Sequence, residues 1–505
     1  MGWKKRISAL SFCLFGLLFV VSAGPFVRGD ANSDGRVDLA DIIVALGYLY
    51  RGNYEIACLD ALDVNDDGNV NLDDVLQLLR FLFGKEALPA EPFPNPGFDP
   101  TQNDPFICGD PGAVNARYVR AGAPSIGSGL SWKDPLPELP SLLQRGFTYY
   151  IASGSYPALK FTTPEQGSIP VVIKKATKVE HGTDVGWKDE YAEGPAVFPS
   201  VVFEKGYVIF DGVWGTGERA GYGFEVYNTS EKTKMVWLIT LKEGVSHVTI
   251  RKVEAHRPSR TYRGRGLYAA FGGNHNVSLS HCYFHDFHGV HCYFLNSRSI
   301  LLESCIFARN NSTPQLHSES IQARATVDLT VRYCVFEDIQ GTGVIVSGSG
   351  DSRRWRIYGN VFKCSPGFYG GTGHGTIADN FKGSIQDVIV CNNTFLNIKA
   401  GKTGVRFYNG LKDLISFNNL FVNCSGVGYV NVNHDYDLYI KCEFKNREFS
   451  PSPHDLLLPA MDMVAEDGHL KSPTPPGKVL PPPFDIDPEG NRRGADGTWD
   501  RGAYE

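Results

Sequence analysis

The stretch His281-Cys282-Tyr283-Phe284 is the first of six copies of a short motif in this chain. Each copy has Cys or Asn at its second position and Phe at its fourth. The later copies are Ser304-Cys305-Ile306-Phe307, Tyr333-Cys334-Val335-Phe336, Gly359-Asn360-Val361-Phe362, Asn392-Asn393-Thr394-Phe395 and Asn418-Asn419-Leu420-Phe421. Their second positions are 23, 29, 26, 33 and 26 residues apart, and β-type runs such as residues 327–333 precede them. Repeats of about 20 to 30 residues with strands but no helix predict a solenoid.

Stacked rungs explain why the same residue types recur at the same position. Side chains on the inward half of each rung pack on those of the next rung, so the Cys/Asn positions form one internal ladder and the Phe positions another. A β-sandwich or a propeller does not explain a repeat length that drifts. The pattern predicts a mainly β protein built on a right-handed parallel β-helix, and residues 115–445 resemble the pectate-lyase-like superfamily.

The ends of this predicted solenoid need to be covered, because an open end would pair with other chains. Residues 136–145 are predicted to form an amphipathic helix over one end, and residues 146–156 resemble the first strand of pectate-lyase-like proteins. Residues 446–505 are expected to form an extended C-terminal capping segment.

Two acidic loops near the N-terminus are near copies of each other, offset by 33 residues from Asp30 to Asp63. Side chains with oxygen atoms occupy positions 1, 3, 5, 9 and 12 of each loop, with Gly35 and Gly68 at position 6. A calcium ion needs about six to eight oxygen ligands, and the glycine permits the sharp turn around it. The predicted ligands of two calcium ions, position 7 included, are Asp30, Asn32, Asp34, Arg36, Asp38 and Asp41 in the first loop and Asp63, Asn65, Asp67, Asn69, Asn71 and Asp74 in the second.

Each of these loops runs into an apolar helix, and its last position is Asp where an ordinary EF-hand has Glu. On these features residues 26–86 resemble a dockerin type I domain, a secreted module that tethers carbohydrate-active proteins to cohesin partners. The resemblance implies two calcium ions and a cohesin-like or other surface protein as partner. At loop positions 10 and 11 the chain has Leu39-Ala40 and Leu72-Asp73, where the cellulosomal family usually has Ser-Thr-like pairs.

The first 23 residues are predicted to be a secretory signal peptide. Lys4-Lys5-Arg6 precedes an apolar run over residues 7–21, and Val21-Ser22-Ala23 offers a small-residue cleavage site. No other apolar segment approaches the length of a membrane span. The mature protein is therefore expected to be secreted or held at the cell surface, where disulfides are permitted.

Composition adds three expectations for the 505-residue chain. The net charge of −6 is mild, and without a basic stripe no nucleic-acid partner is expected. Residues 87–114 are rich in proline and are predicted to be a linker. Of eleven cysteines, Cys13 falls in the signal peptide, and a disulfide between Cys58 and Cys108 is expected to close the calcium-binding module.

The best candidate for a catalytic rung is His317-Ser-Glu319-Ser-Ile-Gln322-Ala-Arg324. In a regular strand His317 and Glu319 share one face, while Gln322 and Arg324 share the other. The segment resembles the calcium-and-base rung of the chondroitinase B and alginate lyase family, Glu-x-Glu-x-x-x-x-Lys. The resemblance implies that Glu319 matches the second calcium carboxylate and that Arg324 matches the basic lysine. His317 replaces the first carboxylate, and residues 344–348 lack the family's downstream catalytic Arg.

Two later residues are further catalytic candidates. His374, in a glycine-rich loop, is a candidate for proton transfer, and Arg406 is a candidate for holding a substrate carboxylate. If the rungs stack in register, one groove would be lined by the catalytic candidates His317, Glu319, Arg324, His374 and Arg406, with Gln322 as a substrate-binding residue.

Histidine also recurs at His281, His285, His288 and His291. The last three suit a metal ion only if backbone bends bring them together, and separate surface and stacking positions are the alternative. The polar group His434-Asp435-Tyr436-Asp437 is a further candidate site, and a terminal loop is the alternative prediction.

Two functions remain open on the sequence alone. In the first, the protein is a secreted carbohydrate-active enzyme, a polysaccharide lyase or glycoside hydrolase that acts on an extracellular, uronate-containing polysaccharide. A lyase removes the proton next to a carboxylate that a cation or Arg neutralises, whereas hydrolysis needs two carboxylates about 5–10 Å apart. In the second, the β-helix is a non-catalytic glycan-binding or cell-surface structural protein. A dockerin-like module beside a pectate-lyase-like solenoid favours the enzyme.

Overall fold

The computed structural model describes residues 26–32, 36–51, 58–84, 88–95, 97, 115–124, 127–212, 221–311, 318–340, 344–368, 377, 380–382, 384–399, 406–408, 413–445, 448–460 and 462–505. Contacts divide the chain into two compact units, Met1–Val114 and Asn115–Glu505. The predicted signal peptide lies outside the described residues. Within the ranges given above, no helix is long and apolar enough to cross a membrane.

The N-terminal unit contains two helices, each of which follows an acidic loop. Its helical elements are α1 (Leu39–Arg51), α2 (Leu72–Leu79) and a π-helical turn (Arg80–Gly84). The Asn71 side chain accepts the Asp73 N–H, and the Asp74 carboxylate accepts the Asn71 N–H, so α2 begins with a capping box. Both helices and the second loop share one small core, which includes Ile42, Ala45, Leu62, Val64, Val75 and Leu78.

The C-terminal unit is a parallel β-helix with three sheets along its length. The first sheet consists of β1 (Ala116–Val119), β2 (Thr148–Ile151), β5 (Val171–Lys175), β8 (Val208–Asp211), β11 (Ser246–Arg251), β14 (His275–Ser280), β17 (Arg298–Glu303), β20 (Val327–Arg332), β24 (Ser352–Tyr358), β27 (Ile385–Cys391), β30 (Leu414–Phe417) and β33 (Val432–Asp435). The second consists of β3 (Gly154–Ser155), β6 (Ala196–Phe198), β9 (Phe224–Tyr227), β12 (Val253–His256), β15 (Tyr283–His285), β18 (Ile306–Ala308), β21 (Val335–Glu337), β25 (Val361–Lys363), β28 (Thr394–Leu396), β31 (Leu420–Val422), β34 (Leu438–Ile440) and β35 (Leu456–Leu458).

The third sheet is shorter and more irregular. It consists of β4 (Leu159–Phe161), β7 (Val201–Phe203), β10 (Val236–Leu241), β13 (Gly264–Ala269), β16 (Cys292–Leu295), β19 (Ile321–Arg324) and β22 (Ile345–Val346). Bridges through Ile377 continue it to a further parallel pair, β29 (Arg406–Tyr408) and β32 (Gly428–Val430). A two-stranded pair, β23 (Gly348–Ser349) and β26 (Asn380–Lys382), and a 3-10 turn (Asp189–Ala192) complete the regular structure of the described residues.

The Phe positions of the repeat form a stacked column inside the second sheet, as the sequence predicts. The rings of Phe336, Phe362, Phe395 and Phe421 lie on consecutive rungs. Each pair has centroids 4.7 Å apart and ring planes 6° apart. This spacing matches the distance between hydrogen-bonded strands, so every rung repeats the same contact.

The Cys/Asn positions form the second predicted ladder, and all six of its side chains are fully buried. The Asn393 amide donates to Asn419 Oδ1 at 2.9 Å and to the Ile357 carbonyl at 3.0 Å. Its own Oδ1 accepts the backbone N–H of Asn360 at 3.0 Å. Because a buried amide is costly unless it is hydrogen-bonded, these bonds fix each asparagine to the rungs before and after it.

Two aspartates continue this ladder beyond the last copy of the motif. Asp437 Oδ1 accepts the Asn419 N–H at 2.8 Å, and the Asp437 N–H donates to Asp455 Oδ1 at 3.0 Å. Tyr439 takes the Phe position of this rung and stacks on Phe421 at 5.0 Å. The prediction of a terminal loop at residues 434–437 is therefore wrong, because β33 and the ladder include these residues.

The cysteines of the solenoid are thiols rather than disulfides. The free cysteines of the described residues are Cys282, Cys292, Cys305, Cys334, Cys364, Cys391, Cys424 and Cys442. In Cys334, for example, the buried Sγ donates to the Leu302 carbonyl at 3.5 Å. This thiol is therefore part of the hydrogen-bonded ladder. Cys108 lies outside the described residues, so its expected pairing with Cys58 stays a prediction.

The predicted helix at residues 136–145 is wrong. Pro137 and Pro140 lack backbone donors and disfavour helical conformation in the residues before them, and the segment is irregular apart from a bridge between Leu136 and Val119. Leu143 is nevertheless buried in the solenoid core. The segment therefore packs on the first rungs without forming a helix.

The C-terminal segment packs against the second sheet. The Ala503 N–H donates to Thr394 Oγ1 at 2.8 Å, and Ala503 and Tyr504 share one buried cluster with Val361 and Leu396. These contacts cover part of the outer face of the sheet, and the expected cap over an open end stays a prediction.

Candidate functional site

The outer face of the third sheet carries a row of aromatic and arginine side chains. The inward residues of β10, β13, β16 and β19 are in register and fully buried; they are Ile239, Leu267, Cys292 and Ile321. Tyr268, Tyr293 and Gln322 directly follow inward residues and point outward, because side chains alternate along a strand. Trp237 and Arg265 lie two residues before Ile239 and Leu267, and the alternation is broken between them, where Leu238 is also fully buried. We define the third-sheet face as Trp237, Arg265, Tyr268, Phe271, Tyr293, Gln322 and Arg324.

Four aromatic rings form a continuous patch on this face. Trp237 and Tyr268 are stacked with centroids 4.7 Å apart, and Tyr293 lies 5.5 Å from Tyr268 on the next rung. Phe271 meets Trp237 and Tyr268 edge-on at 6.4 Å and 6.0 Å. Trp237 is 42% exposed and Phe271 41%, and exposed aromatic clusters of this kind mark binding surfaces.

Two arginines lie over these rings. The Arg265 guanidinium is 4.8 Å from the centroid of Tyr268 and 5.2 Å from that of Tyr293, and the Arg324 guanidinium is 5.6 Å from Tyr293. Among the described residues, the buried Nε of each arginine has no hydrogen-bond partner. Stacking on a ring holds a guanidinium in place while its donors stay available, and a fork of donors matches a carboxylate.

Close packing beneath the face fixes the position of β13. A Cβ atom at Gly266 would lie 2.4 Å from the His291 carbonyl oxygen and 2.5 Å from Cδ1 of Phe284. Only glycine fits there, so the strand between Arg265 and Leu267 lies directly on the core. The backbone that carries Arg265 is thereby held in place.

Only some residues of the predicted catalytic rung lie on this face. Gln322 and Arg324 both lie on the outer side of β19, and Gln322 is in register with Tyr293. Glu319 precedes the strand and is only 3% exposed, in a segment whose backbone accepts hydrogen bonds from Asn310. His317 lies outside the described residues.

The two later candidates fall at or beyond the limit of what the structure describes. Arg406 begins β29, and its neighbour Phe407 is joined through Ile377 to Ile345 in the third sheet. Its backbone therefore belongs to the same sheet as Gln322, further along the solenoid. His374 lies outside the described residues.

The histidines His285, His288 and His291, all of them described, do not form the metal site considered above. His285 lies on β15 of the second sheet, and His288 is a buried bridging residue. His291 is fully buried, with its ring nitrogens 2.9 Å from Ser320 Oγ and 3.1 Å from the Ala308 carbonyl oxygen. Burial lowers the pKa of His291 to about 3, so this ring is neutral.

The aromatic residues and Arg265 were not predicted from the sequence. A signal is nevertheless present, because Tyr268 and Tyr293 are 25 residues apart and Tyr293 and Gln322 are 29 apart, close to one rung each. The repeat length drifts, so the register that aligns these residues becomes visible only when the strands are paired.

The acidic loops of the N-terminal unit show the same hydrogen-bond pattern twice. The Asp74 carboxylate accepts the N–H groups of Asn65 and Asn71 at 3.3 Å and 2.8 Å, and Asp41 makes the equivalent two bonds in the first loop. These bonds fold each loop back on its last residue, as the predicted calcium loop requires.

The carboxylates of these loops are buried and lie close to one another. Asp30, Asp41, Asp63 and Asp74 are at most 6% exposed. Burial raises the pKa values of Asp41, Asp63 and Asp74, and a neighbouring carboxylate raises each of them further. Carboxylates gathered in this way fit a hard divalent cation, which would offset their repulsion. Asp34 lies outside the described residues.

A comparison with protein families agrees with the fold of part of the C-terminal unit. A family model described as "Right handed beta helix region" matches residues 216–383. Among solved structures, the chain is similar to pectate lyase Pel9A, with 11% identity, a TM-score of 0.33 and coverage of 66% of this chain and 81% of that one. It is also similar to the PL6 family polysaccharide lyase Pedsa3628 from Pseudopedobacter saltans, with 10% identity, a TM-score of 0.33 and coverage of 70% and 94%. No curated protein matches the chain.

The family match identifies residues 216–383 as a right-handed β-helix region, in agreement with the prediction. It does not include the N-terminal repeats, so the dockerin resemblance stays an expectation.

Proposed function

We propose that this protein is a carbohydrate-active enzyme, a polysaccharide lyase that acts on a uronate-containing chain bound along the third-sheet face. The observation that carries the proposal is the position of Arg265 and Arg324 over the ring of Tyr293. A uronate sugar offers a carboxylate and an apolar ring face at once. Guanidinium groups over Tyr268 and the buried Tyr293, next to the exposed rings of Trp237 and Phe271, match both features.

The arginines would also supply the electrostatic part of an elimination. Negative charge develops on the sugar carboxylate as the neighbouring proton leaves, and a paired guanidinium stabilises that charge. Gln322 lies in register with Tyr293, where an amide can hydrogen-bond a sugar hydroxyl. The proton acceptor is assigned to one of the predicted histidines, His317 or His374, both outside the described residues.

A hydrolase would need a different set of groups. Inverting and retaining hydrolases both use a pair of carboxylic acids about 5–10 Å apart. The seven residues that define the third-sheet face contain no carboxylate. The proposal of elimination rests instead on the two guanidinium groups that the face does contain.

We further propose that the enzyme is secreted and tethered through its N-terminal unit. In this proposal residues 1–23 are the signal peptide, residues 26–86 hold two calcium ions in a dockerin-like module, and residues 87–114 form a linker. A cohesin-like or other surface protein would be the partner. Support for the calcium ions comes from the buried, closely placed carboxylates of the two loops.

The test is product release from a panel of uronate and neutral polysaccharides by the mature chain in calcium. Ultraviolet absorbance from unsaturated uronate ends, lost in Arg265→Gln and Arg324→Gln, supports the lyase. The matched control is Arg298→Gln, since Arg298 is exposed on the first sheet. New reducing ends without unsaturation would identify a hydrolase, and retention on a polymer without turnover would identify a glycan-binding protein.

A further inference from the structure

A second cluster of chemically active side chains lies on the outer face of the second sheet. Glu254 and His256 are on β12, and His285 is on β15, in register with His256. One ligand atom from each of the three residues lies within 4.8 Å of the others. The proposed lyase activity uses none of them.

The parallel sheet itself creates this cluster. Residues two apart on a strand share a face, and residues in register on neighbouring strands are about 4.8 Å apart. The rings of His256 and His285 are accordingly stacked, with centroids 4.7 Å apart and planes 9° apart, and Tyr227 stacks on His256 at 4.5 Å. The stack fixes the orientation of both imidazoles, so that the Nε2 edge of each ring faces a glutamate.

Each imidazole has an outer partner at its Nδ1 atom, and that of His285 is shared with Arg309, whose guanidinium lies 3.0 Å from the same nitrogen. His256 Nδ1 lies 3.2 Å from the Arg257 carbonyl oxygen, and His285 Nδ1 lies 2.7 Å from a carboxylate oxygen of Asp286. A neutral ring that donates from Nδ1 presents its lone pair at Nε2. Metal-binding histidines have this outer partner, a carbonyl or a carboxylate on the nitrogen away from the metal.

The Nε2 atom of each ring faces a glutamate and donates to it in the metal-free protein, so a metal ion would replace this proton. His285 Nε2 is 2.9 Å from Glu254 Oε1, and His256 Nε2 is 2.9 Å from Glu225 Oε1. Two imidazole nitrogens and two carboxylates thus point toward one region of the surface. Calcium prefers six or more oxygens, whereas two nitrogens with carboxylate oxygen suit a borderline divalent ion such as zinc.

The charge of the region also suits a divalent cation. When a metal ion replaces the protons at the two Nε2 atoms, the imidazoles are neutral, and Glu225, Glu254 and Asp286 carry three negative charges. Arg309 balances one of them, since it pairs with Asp286 at 2.7 Å. The remaining two charges are those that a divalent ion neutralises.

We propose that His256, His285 and Glu254 bind a zinc ion, with Glu225 as the fourth ligand. A tetrahedral zinc ion with bonds of about 2 Å needs its ligand atoms roughly 3.3 Å apart, and rotation of the glutamate side chains closes the present spacing. The competing account is a row of ion pairs in which protons on the imidazoles replace the metal.

Zinc titration of the mature chain tests this site without any polysaccharide. The protein is treated with a chelator, returned to excess calcium so that the acidic loops are filled, and titrated calorimetrically with zinc. We expect one zinc ion per chain, bound roughly a hundredfold more weakly by Glu254→Gln, which keeps the side-chain shape. His256→Gln, at a partly exposed position, should show the same loss.

His454→Gln is the matched control, because His454 pairs with Asp435 away from the cluster. It should bind zinc as the wild type does. Circular dichroism of each variant confirms that the fold is retained. The proposal is overturned if the wild type binds no zinc, or if Glu254→Gln and His256→Gln both bind it with wild-type affinity. Either result leaves the lyase proposal untouched.

Discussion

The guanidinium of Arg324 lies 5.6 Å from the ring centroid of Tyr293, one rung before it on the same sheet. The ring fixes the guanidinium plane without using its N–H donors. Arg265 makes the same kind of contact with this ring from the preceding rung. One tyrosine thereby contacts two cations, as the proposed recognition of anionic sugar chains requires.

Stacking on Trp237 should contribute to polysaccharide affinity. A sugar ring that covers about 50 Å² of apolar indole surface contributes about 1.3 kcal/mol, so Trp237→Ala should weaken binding roughly tenfold. Phe83→Ala is the control, because Phe83 is 71% exposed in the N-terminal unit. Equal affinity of wild type and Trp237→Ala in a polymer-binding assay would show that the aromatic patch does not bind the polymer.

Loss of one ladder asparagine should destabilise the solenoid strongly. Asn393→Ala removes the side-chain partner of the Ile357 carbonyl and of the Asn360 N–H, while Asn419 Oδ1 keeps only the backbone N–H of residue 393. At about 1–3 kcal/mol for each unsatisfied group, the free energy of unfolding should fall by roughly 3–5 kcal/mol. Thermal unfolding measures this loss, and Asn433→Ala, at an exposed position of β33, should show almost none. Similar unfolding temperatures for the two variants would contradict the ladder.

Stability should decline as pH rises through the titration of Asp437. Burial first, and the Asp455 carboxylate second, raise its pKa from 3.8 to about 6. A carboxyl that holds its proton more tightly in the folded state stabilises the fold below pH 4, and this contribution is lost between about pH 4 and 6. The loss amounts to up to about 3 kcal/mol.

Asp437→Asn should remove this decline. Its oxygen can still accept the Asn419 N–H, and the hydroxyls of Ser416 and Tyr429, which now donate to Asp437, can turn to accept from the new amide. Unfolding temperatures measured from pH 4 to 7 should therefore fall less in the variant than in the wild type. Parallel pH profiles would show that Asp437 is not the titrating group.

Calcium removal should loosen the N-terminal unit and leave the solenoid intact. Without a cation, the buried carboxylates of Asp63 and Asp74 repel each other. Limited proteolysis with chelator should therefore cut within residues 26–97 much faster than with calcium. Asp74→Ala should be cut rapidly in both conditions, whereas Asp73→Ala, at an exposed position, should behave as the wild type. Cleavage that does not depend on calcium would count against the metal.

The sequence predicts the repeated interior of this protein better than its surface. The Phe column and the Cys/Asn ladder follow from the recurrence of one residue type at one position, since each rung packs on its copy. The rung of Asp437 and Tyr439 was not recognised from the motif, because it has Asp at the Cys/Asn position and Tyr at the Phe position.

Surface sites depend on register, which varying loop lengths conceal. Tyr268, Tyr293 and Gln322 become neighbours only once β13, β16 and β19 are paired. His256 and His285 likewise lie 29 residues apart in the sequence and stack in the fold. The helix expected at residues 136–145 does not form, because two prolines within the segment disfavour it despite its apolar pattern.

The central claim is that Arg265 and Arg324 recognise the carboxylates of a bound polysaccharide. The most direct test compares the affinity of the mature chain for a uronate polymer and for the same polymer with its carboxylates methyl-esterified. The account predicts that wild type prefers the free acid, and that Arg324→Gln loses roughly 2 kcal/mol, about 30-fold, on the free acid but little on the ester. Arg298→Gln should match the wild type on both polymers. Equal affinity of the wild type for acid and ester would contradict the account.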